Sequence, residues 1–386
     1  MVLNKEKITL FIIKLFYVLL ILSFISTEIN SIIENYLMFI LFFINVFIFL
    51  AYNIKINRVD CMYIIPLIMI ILLFSILSLS GIGSYMNLLN LILIVLVTQK
   101  IKFEKKEYKS IIVLSLILLT ILCLKSAFVW KNFELNKEDT NPNVLAQSII
   151  LSFGIVYTGI KQLLNSSKEK IVLFIINIIA IVSIYLCNSR TALVAILIFT
   201  IAIVSKNIQK IIDKHFKQIL CVLIMIGVVI PLLYVYMYDN NINIKIPLIN
   251  KRLFTGREIL WKNMMISLNE TRSGYLIGLG SHNVTKIGII KNLHNWYFGM
   301  IYLFGIPMTI LYYTFLINKF KNIKNISIKI SIISVFLIGN FETSALWVNS
   351  QFLIFILLLL DNYYDGEMNN VKEKKWAIGF CYNGRI

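Results

Sequence analysis

A histidine followed by an amide and two large aromatics, Leu293-His294-Asn295-Trp296-Tyr297, closes the one long polar stretch of an otherwise apolar chain. Histidine exchanges protons near neutral pH without much tuning. His294 therefore reads either as a general base at a water boundary or as an interfacial side chain with no chemical task. Two arginines stand in similar polar settings. Arg190 lies in Asn188-Ser189-Arg190-Thr191, a tight turn between apolar runs, and Arg257 lies in Thr255-Gly256-Arg257-Glu258-Ile259-Leu260-Trp261. A guanidinium fork matches the oxygens of phosphate, so both are candidates for an anion clamp. The plainer alternative for Arg190 is a snorkelling interface residue.

Thr255 with Glu258 three residues on predicts a capping box at the start of a short helix. Arg257 then falls in the first turn, where the helix dipole disfavours a cation unless an anion joins it. An ordinary solvated loop helix, laying Ile259, Leu260, Met264 and Met265 on the membrane or the bundle, is the competing reading. Glu342, in Gly339-Asn340-Phe341-Glu342-Thr343, is either a carboxylate that orients a base or binds sugar hydroxyls, or a plain loop acid. His282, in Gly280-Ser281-His282-Asn283, is a second His-Asn pair in the same polar stretch and a rival to His294. His215, the third histidine, lies in a basic loop and reads as solvated. No G-x-S-x-G, H-E-x-x-H or Walker A motif occurs. The cysteines, Cys61, Cys123, Cys187, Cys221 and Cys381, are widely spaced without a C-x-x-C pair, which argues for apolar packing rather than zinc or disulfides. No metal and no cofactor is expected.

The elements that must position these residues are helical. The 386 residues are 59% hydrophobic and 15% charged, a membrane composition. The apolar runs are long and continuous, which excludes a barrel. The expected fold class is an all-α integral membrane protein, a single polytopic domain over 1–386. About 12 spans follow from the length that crosses a bilayer. They fall near 8–26, 34–52, 61–79, 83–98, 110–130, 143–163, 171–187, 190–205, 217–238, 294–317, 327–341 and 346–361. The first run lacks a cleavage site and reads as a span.

The formal net charge of +18 has a topological explanation before a nucleic-acid one. Basic residues recur on every second connection: Lys55 and Arg58; Lys100 to Lys109; Lys161, Lys168 and Lys170; Lys206 to Lys217; Lys319, Lys321, Lys324 and Lys329. That alternation places both termini and the 362–386 tail in the cytoplasm. It places the long loop, 239–293, outside. The loop is nonetheless basic, with Lys245, Lys251, Arg252, Arg257, Lys262, Arg272, Lys286 and Lys291. Topology does not explain that charge; an anionic ligand would.

The ordered strings NSRTALVAIL, TGREILWKNMM, LIGLGSHN and LHNWYFGMIYLFGIP resemble the O-antigen ligase/polymerase superfamily of bacterial surface-glycan assembly. The likeness spans roughly Leu173 to Pro307, and TNPNVLAQ, ending at Gln147, is similar to a further weak family feature. The resemblance implies a metal-independent glycosyltransferase of the bacterial cytoplasmic membrane with an extracytoplasmic catalytic loop. It implies undecaprenyl-diphosphate-linked oligosaccharide as substrate, Arg190 and Arg257 as the diphosphate-binding arginines, and His294 as the base on the acceptor hydroxyl. The expected function is polymerisation of lipid-linked repeat units for a capsule, exopolysaccharide or O-antigen. The alternative is a ligase that moves a finished glycan to another acceptor. A transporter of lipid-linked glycans is a weaker reading, because only Lys14 and Lys125 interrupt the spans. Membrane lipid, and the flippase and chain-length regulator of the same pathway, are the expected partners; nucleic acid is not.

Overall fold

In a computed structural model of the chain, residues 5–25, 27–76, 82–131, 141–163, 167–242, 245–246, 251–252, 256–280, 293–343 and 347–362 are described. The elements are α1 (Lys5–Ile25), α2 (Thr27–Ala51), α3 (Arg58–Ile76), α4 (Ile82–Thr98), α5 (Lys105–Lys131), α6 (Pro142–Leu163), α7 (Ser167–Leu186), α8 (Arg190–Val204) and α9 (Lys206–Asp239). After α9 come a two-residue antiparallel pair, β1 (Lys245–Ile246) with β2 (Lys251–Arg252), and two shorter helices, α10 (Arg257–Glu270) and α11 (Gly274–Ile277). The chain then forms α12 (Trp296–Phe320), α13 (Ile326–Ile338) and α14 (Val348–Asn362).

Six helices among the described residues, α1, most of α5, α6, most of α7, α9 and α12, are long and apolar enough to cross a membrane. The faces that do not pack inward are compatible with a lipid surround. Met62, Ile65 and Met69 on α3, Phe174 and Val182 on α7, and Val222, Met225 and Leu233 on α9 all point outward with large exposed apolar area. Such a belt is unfavourable against water and at rest against lipid. The architecture is that of an α-helical protein compatible with multiple passes through a membrane.

Local chemistry sets the helix ends. Ser205 accepts from the Ile208 N–H and starts α9 at Lys206, eleven residues before the apolar run expected at 217. The basic stretch read as a loop is thus helical, with a kink at His215 (φ −114°, ψ 20°). Asn325 caps α13 by accepting from Ser327 N at 2.9 Å. α12 breaks at Gly305 (φ 77°), two residues before Pro307. The carbonyls freed at Tyr302 and Leu303 accept from Leu279 N and Gly280 N, at 2.7 and 3.1 Å. The chain after α11 therefore docks edge-on against the broken helix, and a side chain at Gly278 would strike that backbone.

Three helices run side by side in the same direction. Gln147 on α6 donates to Ser350 on α14, and Gln162, fifteen residues later, donates to the Leu360 carbonyl. Gln351 donates to the Asn87 carbonyl of α4, and Asn362 reaches the Thr98 and Ile101 carbonyls at the other end. α13 packs antiparallel on α6 through Gly154, where an added Cβ would overlap Ser331. The starts of α4, α6 and α14 and the finish of α13 thus share one end of the bundle. At the opposite end Lys319 meets Asp60 at 2.5 Å and Lys329 meets Asp213 at 2.6 Å. Both lysines were read among the basic residues of one connection; each is a buried helical residue tied to an acid.

Candidate functional site

The site is built around Glu342, in the connection that leaves α13. The last turn is closed by Gly339 N to Val335 O, and Glu342 N binds Ile338 O, so the chain folds back and tucks the carboxylate inward. The Glu342 side chain is only 4% exposed. A carboxylate this buried needs polar partners. It has three from distant parts of the chain: Arg257 Nη2 donates to Oε1 at 2.6 Å, Asn143 Nδ2 donates to Oε1 at 2.8 Å, and His294 Nδ1 lies 3.3 Å from Oε2.

Asn143 is placed by an Asn-Pro helix start. Asn141 accepts from the Asn143 N–H at 3.0 Å, and Pro142 occupies the first helical position, where its missing N–H is not needed. Arg257 opens α10. The capping box predicted on Thr255 is corrected here: Gly256 is the cap, in the left-handed region (φ 90°), and Glu258 accepts its N–H at 3.0 Å. Thr255 itself lies outside the described residues. Of the expected apolar face, Met264 is buried and Leu260 and Met265 are half-buried against the core. Glu258, Trp261, Met264 and Leu268 are buried, whereas Ile259 is exposed. Arg257 sits where the helix dipole disfavours a cation. The Glu342 carboxylate and the Phe341 ring, 5.9 Å from the guanidinium carbon, offset that penalty.

His294 precedes α12 rather than beginning it. Asn295 is the N-cap, and His294 adopts φ 50°, one of four positive-φ residues other than glycine among those described. Its neighbours are pinned. Trp261 Nε1 donates to the Leu293 carbonyl at 3.1 Å, and Trp296 N donates to the Gly339 carbonyl at 2.8 Å. Trp261 is fully buried and stacks edge-on with Tyr234 of α9, which also meets Phe341. The loop helix, the histidine turn and the exit from α13 thus form one packed unit. His294 and Arg257 keep 30% and 21% side-chain exposure, so both can be reached from outside while Glu342 cannot.

Arg190 begins α8, which packs on α9. Tyr234 feels the charge of both Arg257 and Arg190. Among the described residues Arg190 forms no salt bridge. His282 lies outside the described residues, so its position relative to Glu342 is not part of this geometry. Asn143, Trp261 and Tyr234 were not singled out from the sequence. The Asn-Pro pair was the one available signal for Asn143. Nothing in the local pattern marks Trp261 or Tyr234, whose roles arise from long-range contact. Among the described residues no three of His, Cys, Asp and Glu group as metal ligands.

The arrangement supplies an imidazole and a guanidinium held on one carboxylate. His294 Nδ1 faces the Glu342 carboxylate, and the tautomer that donates from Nδ1 carries its acceptor lone pair on Nε2. The chain was compared with models of known protein families, with curated proteins and with solved structures, and none matches.

Proposed function

We propose that the protein is a membrane-embedded polymerase of lipid-linked oligosaccharide repeat units. In this reading about twelve apolar segments, the shorter ones included, span the bacterial cytoplasmic membrane, both termini are cytoplasmic, and the end of the bundle holding Glu342 faces outward. One observation carries the proposal: Arg257 and His294, marked from sequence as anion clamp and base, meet on one buried carboxylate.

The chemistry follows from the parts. A hydroxyl of a new lipid-linked unit attacks the anomeric carbon of the growing glycan. The hydroxyl proton passes to His294 Nε2, and Glu342 stabilises the imidazolium through Nδ1, as a carboxylate does in other oriented-histidine sites. The bond from the anomeric carbon to the phosphate oxygen breaks, and its electron pair leaves with undecaprenyl diphosphate. Arg257 and Arg190 stabilise the negative charge that grows there. A diphosphate is a good leaving group, so no acid is required on it.

The test is the lipid-linked glycan of a strain lacking the gene. A single repeat unit on the carrier, restored to a ladder by the wild-type chain and not by His294→Ala, is the expected result. A full ladder stranded on carrier would instead assign the alternative, a ligase. Unchanged surface and carrier-linked glycan would overturn both.

A further inference from the structure

We infer that Asn295 is a positioning residue, whose carboxamide fixes His294 at the site by taking a carbonyl that a proline on another helix leaves without a donor. In an α-helix each carbonyl accepts from the N–H four residues on. Pro231 lies inside α9 and has no N–H, so the Gly227 carbonyl loses its helical donor. An unmet carbonyl is costly in an apolar bundle, where water does not substitute. Asn295 Nδ2 donates to Gly227 O at 2.8 Å and to Asn340 O at 2.8 Å. Its Oδ1 accepts from Phe298 N at 2.7 Å and caps α12.

One fully buried side chain therefore joins α9, the exit from α13 and the first turn of α12. The approach is specific to this level of the bundle. A Cβ at Gly227 would collide with the Tyr297 ring, so α9 can come close enough only at a glycine. His294 is the residue immediately before this knot, at φ 50°. A side-chain-bearing residue holds that conformation when its surroundings over-determine it. Here the Leu293 carbonyl is held by Trp261, and the residue after His294 is held by three hydrogen bonds. Other capping residues do not replace the amide. Serine caps a helix but has no N–H pair to give to two carbonyls.

The geometric part of this inference stands apart from the glycan reading; its expected effect on glycan synthesis rests on that reading. The test uses the full-length protein in lipid nanodiscs, labelled with 15N-histidine, with the His294 signals assigned by their loss in His294→Ala. Asn295→Ser keeps a cap and removes both donations. It should displace the His294 ring signals, leave those of His215 in place, and lower glycan extension on the order of 10²-fold. Adding Pro231→Ala gives Gly227 O its own helical donor. The double variant should regain thermal stability while the His294 signals stay displaced and extension stays low.

Recovery of the His294 signals together with stability in the double variant would show that Asn295 only satisfies a carbonyl, and would overturn the inference. Unmoved His294 signals in Asn295→Ser would do the same. Displaced signals with wild-type extension would uphold the positioning role and remove His294 as the base. Should Asn295→Ser fail to accumulate, the double variant carries the same measurement.

Discussion

The two ends of the bundle each hold a buried carboxylate, and they treat it differently. At one end Asp60 pairs with Lys319, and the two side chains are only 11% and 6% exposed. Lys319 lies 23 residues beyond Trp296, the first residue of α12, about 35 Å along the chain at a helical rise. At the other end Glu342 is equally buried but receives three donors, two of which stay open to the outside. Burial alone therefore does not mark a reactive centre. A closed pair fastens α12 to α3 and offers nothing to a ligand. A buried acid that orients a partly exposed arginine and histidine presents both at a surface. Left-handed backbone does not separate the ends either: His294 adopts φ 50° at the second, and Asn53, in the connection before Asp60, adopts φ 47° at the first.

The sharpest way to break this comparison is His294→Ala. It should lower glycan chain extension by about 10²–10⁴-fold, the usual contribution of a general base, with a thermal midpoint close to wild type. A large loss of stability with extension intact per folded molecule would place Glu342 among the structural pairs. Next, Asp60→Ala leaves Lys319 charged and buried. It should destabilise the purified protein by about 3–5 kcal/mol in thermal or denaturant unfolding, while extension per folded molecule stays at wild type. Loss of extension without destabilisation would join the two ends functionally.

Arg257→Lys should reduce extension by on the order of tenfold, because a point charge does not replace a planar fork against both a carboxylate and a diphosphate. Wild-type ladders from this variant would remove Arg257 from the anion site. The smallest effect is expected from Lys329→Ala. Its partner Asp213 is 62% exposed and solvated, so the pair should contribute about 1 kcal/mol or less. A change in unfolding of several kcal/mol would mean that this end depends on its charges as strongly as Asp60 and Lys319 do.

Much of the candidate site was legible before folding because its residues break strong local patterns. An arginine between apolar runs, a histidine where polar chain meets apolar chain and a cation in the first turn of a helix are each out of place unless something answers them. Glu342 was visible as the notable acid near the apolar spans, with its partner unknown. Asn143, Trp261 and Asn295 were not legible as site residues. An asparagine or tryptophan at a helix start is unremarkable in its own segment, and the hydrogen bonds that matter here reach across 199, 32 and 68 positions.

Sequence by itself determined the class of structure. Long apolar runs must satisfy their backbone internally, so they become helices, and their ends fall where charge, proline and capping residues appear. It also determined which side chains have chemistry to offer. Only the tertiary structure decided which of them meet. Glu342 joins Arg257 and His294 because α6, α10, α12 and α13 bring four separate segments to one end of the bundle. His294 takes its unusual backbone there because Trp261, Gly339 and Gly227 hold the residues on either side of it. Those contacts depend on close approach at glycines and on carbonyls freed by proline, and both act only when another helix is near enough to use them.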